Sequence, residues 1–328
     1  MSTVGAAPPK PAQAPLPRAY TEPPTLRAEI RRLKETSFPV SAGTALADHA
    51  LGFGLIALVV LSYARLPFAA AAVVNVLALV GIARAQRGLE CLVHEASHYN
   101  WSRRRRRLND LAANLLAAIP VFSTVGRYRV GHFIHHRMKG AEEDPCLRRY
   151  SELDLEALDR SRLLGFAGGI IRRLPRYIVG WWIAIRTTPS TAVKALAWHG
   201  LVIVLPVALV AGPSLALFVW GEWMGAFVLV LPVIRLIGEA DEHKYRGTDN
   251  VFDATMINDG RLLGLLIHPH NDGYHLVHHL WPSVPHHKLG RLHALLEETD
   301  PERYAARVRR RGRVLEDPPP LRTPSGRR

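Results

Sequence analysis

The stretch LADHALGFGLIALVVLSYARLPFAAAAVVNVLALVGIARAQRGLECLVHEASH, residues 46–98, decides the fold. It holds two apolar runs, about Leu46 to Ala64 and about Pro67 to Ala83, joined only at Arg65, Leu66 and Pro67. A second pair follows, about Leu196 to Ala211 and about Leu215 to Ile237, joined at Gly212, Pro213 and Ser214. Each run is roughly 16–23 residues long, near the ~20 needed to cross ~30 Å of hydrocarbon as a helix. A single short run also suits a buried core helix; four together do not. The tight links make two helical hairpins, so the rest of the chain lies on one side of the membrane. That side carries Arg103 to Arg107, five consecutive arginines, with Arg172, Arg173 and Arg176. An excess of basic residues marks the cytoplasmic face. Glu222 within the fourth run is read as the outer end of that helix, near the interface.

Working outward, residues 1–25 are Pro/Ala-rich without the apolar centre of a signal peptide and read as a disordered tail. Residues 307–328 read as a basic, Pro-rich tail, leaving 26–306 as the single domain. The 328 residues carry a net charge of +14 and are 48% hydrophobic and 21% charged, which excludes a wholly disordered chain. Beside four apolar spans, the arginine run is expected to contact membrane lipid headgroups and not nucleic acid. Two cysteines, Cys91 and Cys146, make neither a disulfide scaffold nor a thiolate zinc site.

Histidine is the outlier, with sixteen residues. His94 and His98 stand one helical turn apart where the second run continues past the membrane, a spacing that suits two imidazoles on one metal. The same five residues spell HExxH, the zinc-protease motif with Glu95 as general base, so both readings are open at this point. His132, His135 and His136, and again His275, His278 and His279, have the form HxxHH, which places up to three imidazoles on one helix face. His243 ends the fourth run. Nine histidines from four segments therefore map to one membrane face. Nine exceed the needs of one ion, and two ions with four or five nitrogens each fit the count. Imidazole-rich sites without thiolate admit Zn, Cu, Fe or Ni, and redox chemistry favours iron. The expected fold is an all-α integral membrane protein: four transmembrane helices in two hairpins, and a cytoplasmic helical cap holding a di-metal site.

Two carboxylates join the candidates. Glu239, a turn before His243, is expected to bind metal through water or to orient a ligand, and Asp144 to accept a hydrogen bond from a ligand imidazole. His49, His199, His268, His270, His286, His287 and His293 are read as structural.

With these residues in view, the chain resembles the membrane fatty acid desaturase superfamily, which includes hydroxylases and carotenoid ketolases. The likeness rests on three histidine boxes in order, His94-Glu-Ala-Ser-His98, His132-Phe-Ile-His135-His136 and His275-Leu-Val-His278-His279, and on Glu242-His243 at the family's additional ligand position. The segment Pro269 to Pro285 looks like the third box of acyl-lipid desaturases. The resemblance covers about Leu46 to Tyr304. It implies two iron ions held by the nine histidines, O₂ reduction, and removal of hydrogen from an unactivated C–H bond. A second removal gives a double bond; return of oxygen gives an alcohol. It also implies a fatty acyl or other lipid substrate in a narrow apolar tunnel, expected from the first and fourth runs and from Leu163 to Ile185. Electrons must come from an external donor, such as a ferredoxin or similar acidic carrier with its reductase, docking on the arginine-rich face. One departure stands out: where some relatives have an Asn that binds iron through water, this chain has Glu239. The competing readings are an intramembrane zinc protease using His94, Glu95, His98 and Asp259 or Asp272, and a non-enzymatic metal-storage protein or anchor.

Overall fold

The structure is a computed structural model that describes residues 14–186 and 188–317. It is nearly all helical, and among the described residues there are no strands, only the isolated bridges His243–Thr255 and Ile257–Arg310. A short helix, Arg27–Leu33 (α1), precedes the first hairpin, Phe38–Arg65 (α2) and Phe68–Ser97 (α3). α2 stops because Leu66 precedes a proline and is forced into extended backbone, φ −113° and ψ 157°. Arg106–Val121 (α4) then meets Val125–Met138 (α5) at 88°. Pro145–Leu153 (α6) and Leu163–Arg186 (α7) lead to the second hairpin, Pro189–Ala211 (α8) and Pro213–Glu242 (α9), and the fold closes with His275–Leu280 (α10) and His286–Thr299 (α11). Gly212 turns the second hairpin at φ +86°, a conformation side chains rarely adopt. π turns at Gly200–Val204 and Ala226–Val230 lie just ahead of Pro206 and Pro232, whose missing N–H groups remove helix hydrogen bonds there.

The four spans are α2, α3, α8 and α9, as the apolar runs predict, and α3 and α9 are the longest. At 1.5 Å per residue, the 30 residues of α3 and the 30 of α9 reach about 45 Å each, beyond a ~30 Å hydrocarbon layer. Their C-terminal ends pack together and carry His94, His98 and the approach to His243 into the cap. Gly88 lets α2 come close: a Cβ there would stand 2.4 Å from the Asp48 carboxylate, which pairs with Arg84 at 2.8 Å and His270 at 2.6 Å.

Several details differ from the sequence reading. Glu222 is buried in the bundle, where it accepts a hydrogen bond from Asn75 at 2.9 Å; the polar pair clasps the two hairpins, since an unpaired carboxylate there would be costly. Arg173 turns inward to the carbonyls of Leu153 and Asp154, and Arg103 to those of Lys34 and Ser283, so neither is free for lipid. Residues on the inner sides of both proposed tails lie against the body. Leu16 pairs with Lys139, Tyr20 is buried beside Phe252, Trp281 and Tyr304, and Arg311 reaches Asp241 at 3.0 Å. Residues 1–13 and 318–328 lie outside the described residues.

Candidate metal centre

Each helix delivers its imidazoles by its own periodicity. On α5, His132 and His136 are a turn apart and His135 lies beside them; on α10, His275 and His279 bracket His278. The nine rings then separate into two groups. His94, His98, His132, His136 and His278 place five nitrogens within 4.8 Å of one another, and His135, His243, His275 and His279 place four. The HxxHH segments are thus split: His132 and His136 serve one group and His135 the other, while His278 parts from His275 and His279.

Within the groups the rings meet through Nε2. His94–His278 and His98–His132 are separated by 2.8 Å, His132–His136 by 2.9 Å and His136–His278 by 3.1 Å. His135–His279, His243–His275 and His275–His279 each stand at 3.2 Å. Two ligand atoms at right angles on one ion, each about 2.1 Å from it, stand about 3.0 Å apart. The donor set therefore fits two metal ions. Burial above all, with like-charged neighbours in most cases, holds His98, His132, His136, His243, His275, His278 and His279 well below their ordinary titration range. These seven rings are neutral at neutral pH and their lone pairs are available, as ligation requires.

Three of the outer nitrogens, those of His94, His135 and His243, have partners that fix tautomer and tilt, while His275 Nδ1 and His278 Nδ1 have none among the described residues. Asp144 Oδ1 meets His135 Nδ1 at 2.8 Å and also accepts the Cys146 N–H; Asp144 Oδ2 accepts the Gly140 N–H and the Tyr245 hydroxyl. Burial pushes this carboxyl up, but His135 and the two backbone N–H groups outweigh it and hold it below the usual range. Asp144 thus bonds an imidazole of the four-nitrogen group. Two further partners escape sequence reasoning. Asp272 Oδ1 meets His94 Nδ1 at 3.3 Å, and its other oxygen pairs with Arg87 at 2.7 Å. Lys139, itself buried, meets His243 Nδ1 at 2.9 Å, and burial lowers its ammonium to about 7. If His243 uses Nε2 for a metal, its proton sits on Nδ1, and only a neutral Lys139 amine can accept it. The one hint in sequence is the nearness of Asp272 to His275 and of Lys139 to His136.

Glu239 behaves differently from expectation. His243 is the residue after α9, in extended backbone, so one-turn spacing does not place the two on a common face. The Glu239 carboxylate instead receives two bonds from Arg149 Nη1, at 2.7 and 2.8 Å, and a third from Tyr177 at 2.8 Å, and it belongs to neither imidazole group. Glu95, the general base of the protease reading, also faces elsewhere. It accepts the His286 N–H at 2.7 Å and an Asn100 N–H at 3.2 Å, and so caps α11 from a distance. Glu95→Gln is therefore expected to retain most turnover and to cost about 1 kcal/mol of stability; activity assays beside thermal unfolding check this, and a protease base would instead abolish activity. His49 and His199, as read from sequence, bond the Leu116 and Pro120 carbonyls.

A cavity of about 390 Å³ touches both groups, through His94 and His132 on one side and His135 and His275 on the other. α9 and α7 contribute to it as expected, but α2 does not, and charged side chains stand in its wall beside the apolar ones. Arg87, Arg127, Arg149 and Arg235 line it together with Glu90, Glu239, Glu242 and Asp272. Ion pairs such as Arg235–Glu90 and Arg87–Asp272 satisfy several of these charged groups.

No curated protein matches the chain. The family model described as fatty acid desaturase matches residues 66–311, from the α2–α3 link to beyond α11 and across all nine histidines. With four spanning helices and two imidazole groups beneath them, this chain belongs to the fatty acid desaturase family.

Proposed function

We propose that this protein is an O₂-dependent di-iron oxidoreductase that introduces a double bond into a fatty acyl chain of a lipid, hydroxylation of the same C–H bond being the alternative outcome. The observation that carries the reading is the division of nine imidazoles into groups of five and four beside one cavity. His94, His98, His132, His136 and His278 would hold one ion, and His135, His243, His275 and His279 the other. Iron so bound supplies O₂ reduction and the oxidising power to break an unactivated C–H bond. The chain's own residues do the rest. Asp144, Asp272 and Lys139 hold His135, His94 and His243 in their tautomers, and the buried cap excludes bulk water. The cavity keeps the reacting carbon against both groups. Glu239 acts through Arg149 and not as a ligand.

The arginine-rich face is read as cytoplasmic, with both termini on that side. Arg104, Arg105 and Arg107 are exposed there, and an acidic ferredoxin-like carrier, served by its reductase, fits them as electron donor. Expression in a host with simple lipids, followed by mass spectrometry, tests the function. A lipid lighter by two hydrogens is expected; a gain of one oxygen would support hydroxylation, and unchanged lipids in a donor-supplied host would count against the proposal.

A further inference from the structure

The cavity that touches both imidazole groups has a chemistry of its own, and two of its charged residues are under-used. Arg149 gives only Nη1 to Glu239; among the described contacts, its Nε and Nη2 carry no hydrogen bond. Its side chain keeps 48% of its surface accessible. Glu242 has the opposite character. No donor bonds its carboxylate among the described contacts, and the nearest cation, Arg87, stands 3.6 Å away, with His275 Nε2 at 3.8 Å. Other charges of the wall are closed on themselves: Arg87 with Asp272 at 2.7 Å, and Arg235 with Glu90. The same cavity thus presents unfilled donor capacity at Arg149 and unfilled acceptor capacity at Glu242.

A bare hydrocarbon segment would strip water from both groups and return nothing, which is the unfavourable case for buried charge. Arg149 is bonded to Glu239, three residues before Glu242 on the same helix, so a molecule carrying an anion and an ammonium close together would restore both sets of hydrogen bonds. Val121, Phe122 and Trp181, which also line the cavity, would remain for alkyl carbon. We propose that the substrate is a zwitterionic amphiphile of the amino-acid type, its carboxylate held by Arg149 and its ammonium by Glu242, so that the carbon presented to the imidazole groups lies close to the charged end. This deepens the oxidoreductase reading and rests on it. It places the site of attack near the charged head of the chain.

The test uses the full-length, iron-loaded protein in lipid nanodiscs, without O₂, and three probes with the same sixteen-carbon backbone: 2-aminohexadecanoate, hexadecanoate and methyl hexadecanoate. Equilibrium dissociation constants are measured for each. The amino acid is expected to bind at least about tenfold more tightly than hexadecanoate, and hexadecanoate more tightly than the ester. Arg149→Gln should remove the advantage of both acids over the ester, and Arg149→Lys should restore part of it. Glu242→Gln should bring the amino acid level with hexadecanoate at unchanged iron content. Equal or tighter binding of the ester or of hexadecanoate by the wild-type protein would overturn the proposal, as would loss of iron in Glu242→Gln, which would make that carboxylate a ligand. Two irons per chain without probe preference defeats this inference alone; absence of iron defeats the oxidoreductase reading beneath it.

Discussion

His278→Ala and His135→Ala will each abolish product formation while the protein still inserts in the membrane, and each will lose iron from a different group. His278 is central to the five-nitrogen group, with its Nε2 at 2.8 Å from that of His94 and 3.1 Å from that of His136. His135 belongs to the four-nitrogen group, where its Nε2 faces His279 at 3.2 Å. Alanine removes a donor and leaves a void that no other described imidazole of the group fills. Even the loss of a residue that only orients a ligand typically costs 10–100-fold in metal affinity or activity, so a missing ligand is expected to cost about 100-fold or more. The hairpins do not depend on either ring, because the apolar contacts between α2, α3, α8 and α9 lie elsewhere. Turnover, iron content and membrane fractionation, measured together, check the prediction; full activity in both variants would refute the ligand assignment.

Asp144→Ala should be nearly as severe, although Asp144 lies outside both imidazole groups. Its carboxylate is fully buried and serves four donors at once: His135, the Gly140 and Cys146 N–H groups, and the Tyr245 hydroxyl. Removing it frees the His135 ring to rotate and strands the other donors, each left unsatisfied at a cost of about 1–3 kcal/mol. Iron affinity is expected to fall about 10–100-fold and thermal stability to drop with it. Asp144→Asn keeps an acceptor for His135 Nδ1 and should fall between the wild type and the alanine variant. Iron titration of the three proteins decides: equal affinities would show that Asp144 orients nothing.

The elements that were legible in the sequence are those written in local pattern. Runs of apolar residues broken at Leu66-Pro67 and Gly212-Pro213 can form only two hairpins. His132, His135 and His136 declare a shared helix face by spacing alone, and nine imidazoles divide naturally between two ions. What spacing could not show is which rings share a group. His135 and His136 are neighbours in sequence yet part company, because consecutive side chains on a helix point about 100° apart. Long-range partners were likewise hidden. Arg149 takes Glu239 from ninety residues away, and Glu95 is drawn to His286 by a helix N-terminus that HExxH does not mention. Lys139 is an ordinary surface residue in sequence and a buried amine in the fold. The charged part of the cavity wall could not be foreseen either, since its arginines and carboxylates come from four different helices and the segment before α10.

Elemental analysis of the purified protein, set against an independent measure of chain concentration, bears most directly on the convergence of the nine imidazoles. About two irons per chain are expected, falling to about one when His278 or His135 is replaced. A single zinc per chain, or an iron content that neither substitution alters, would contradict it.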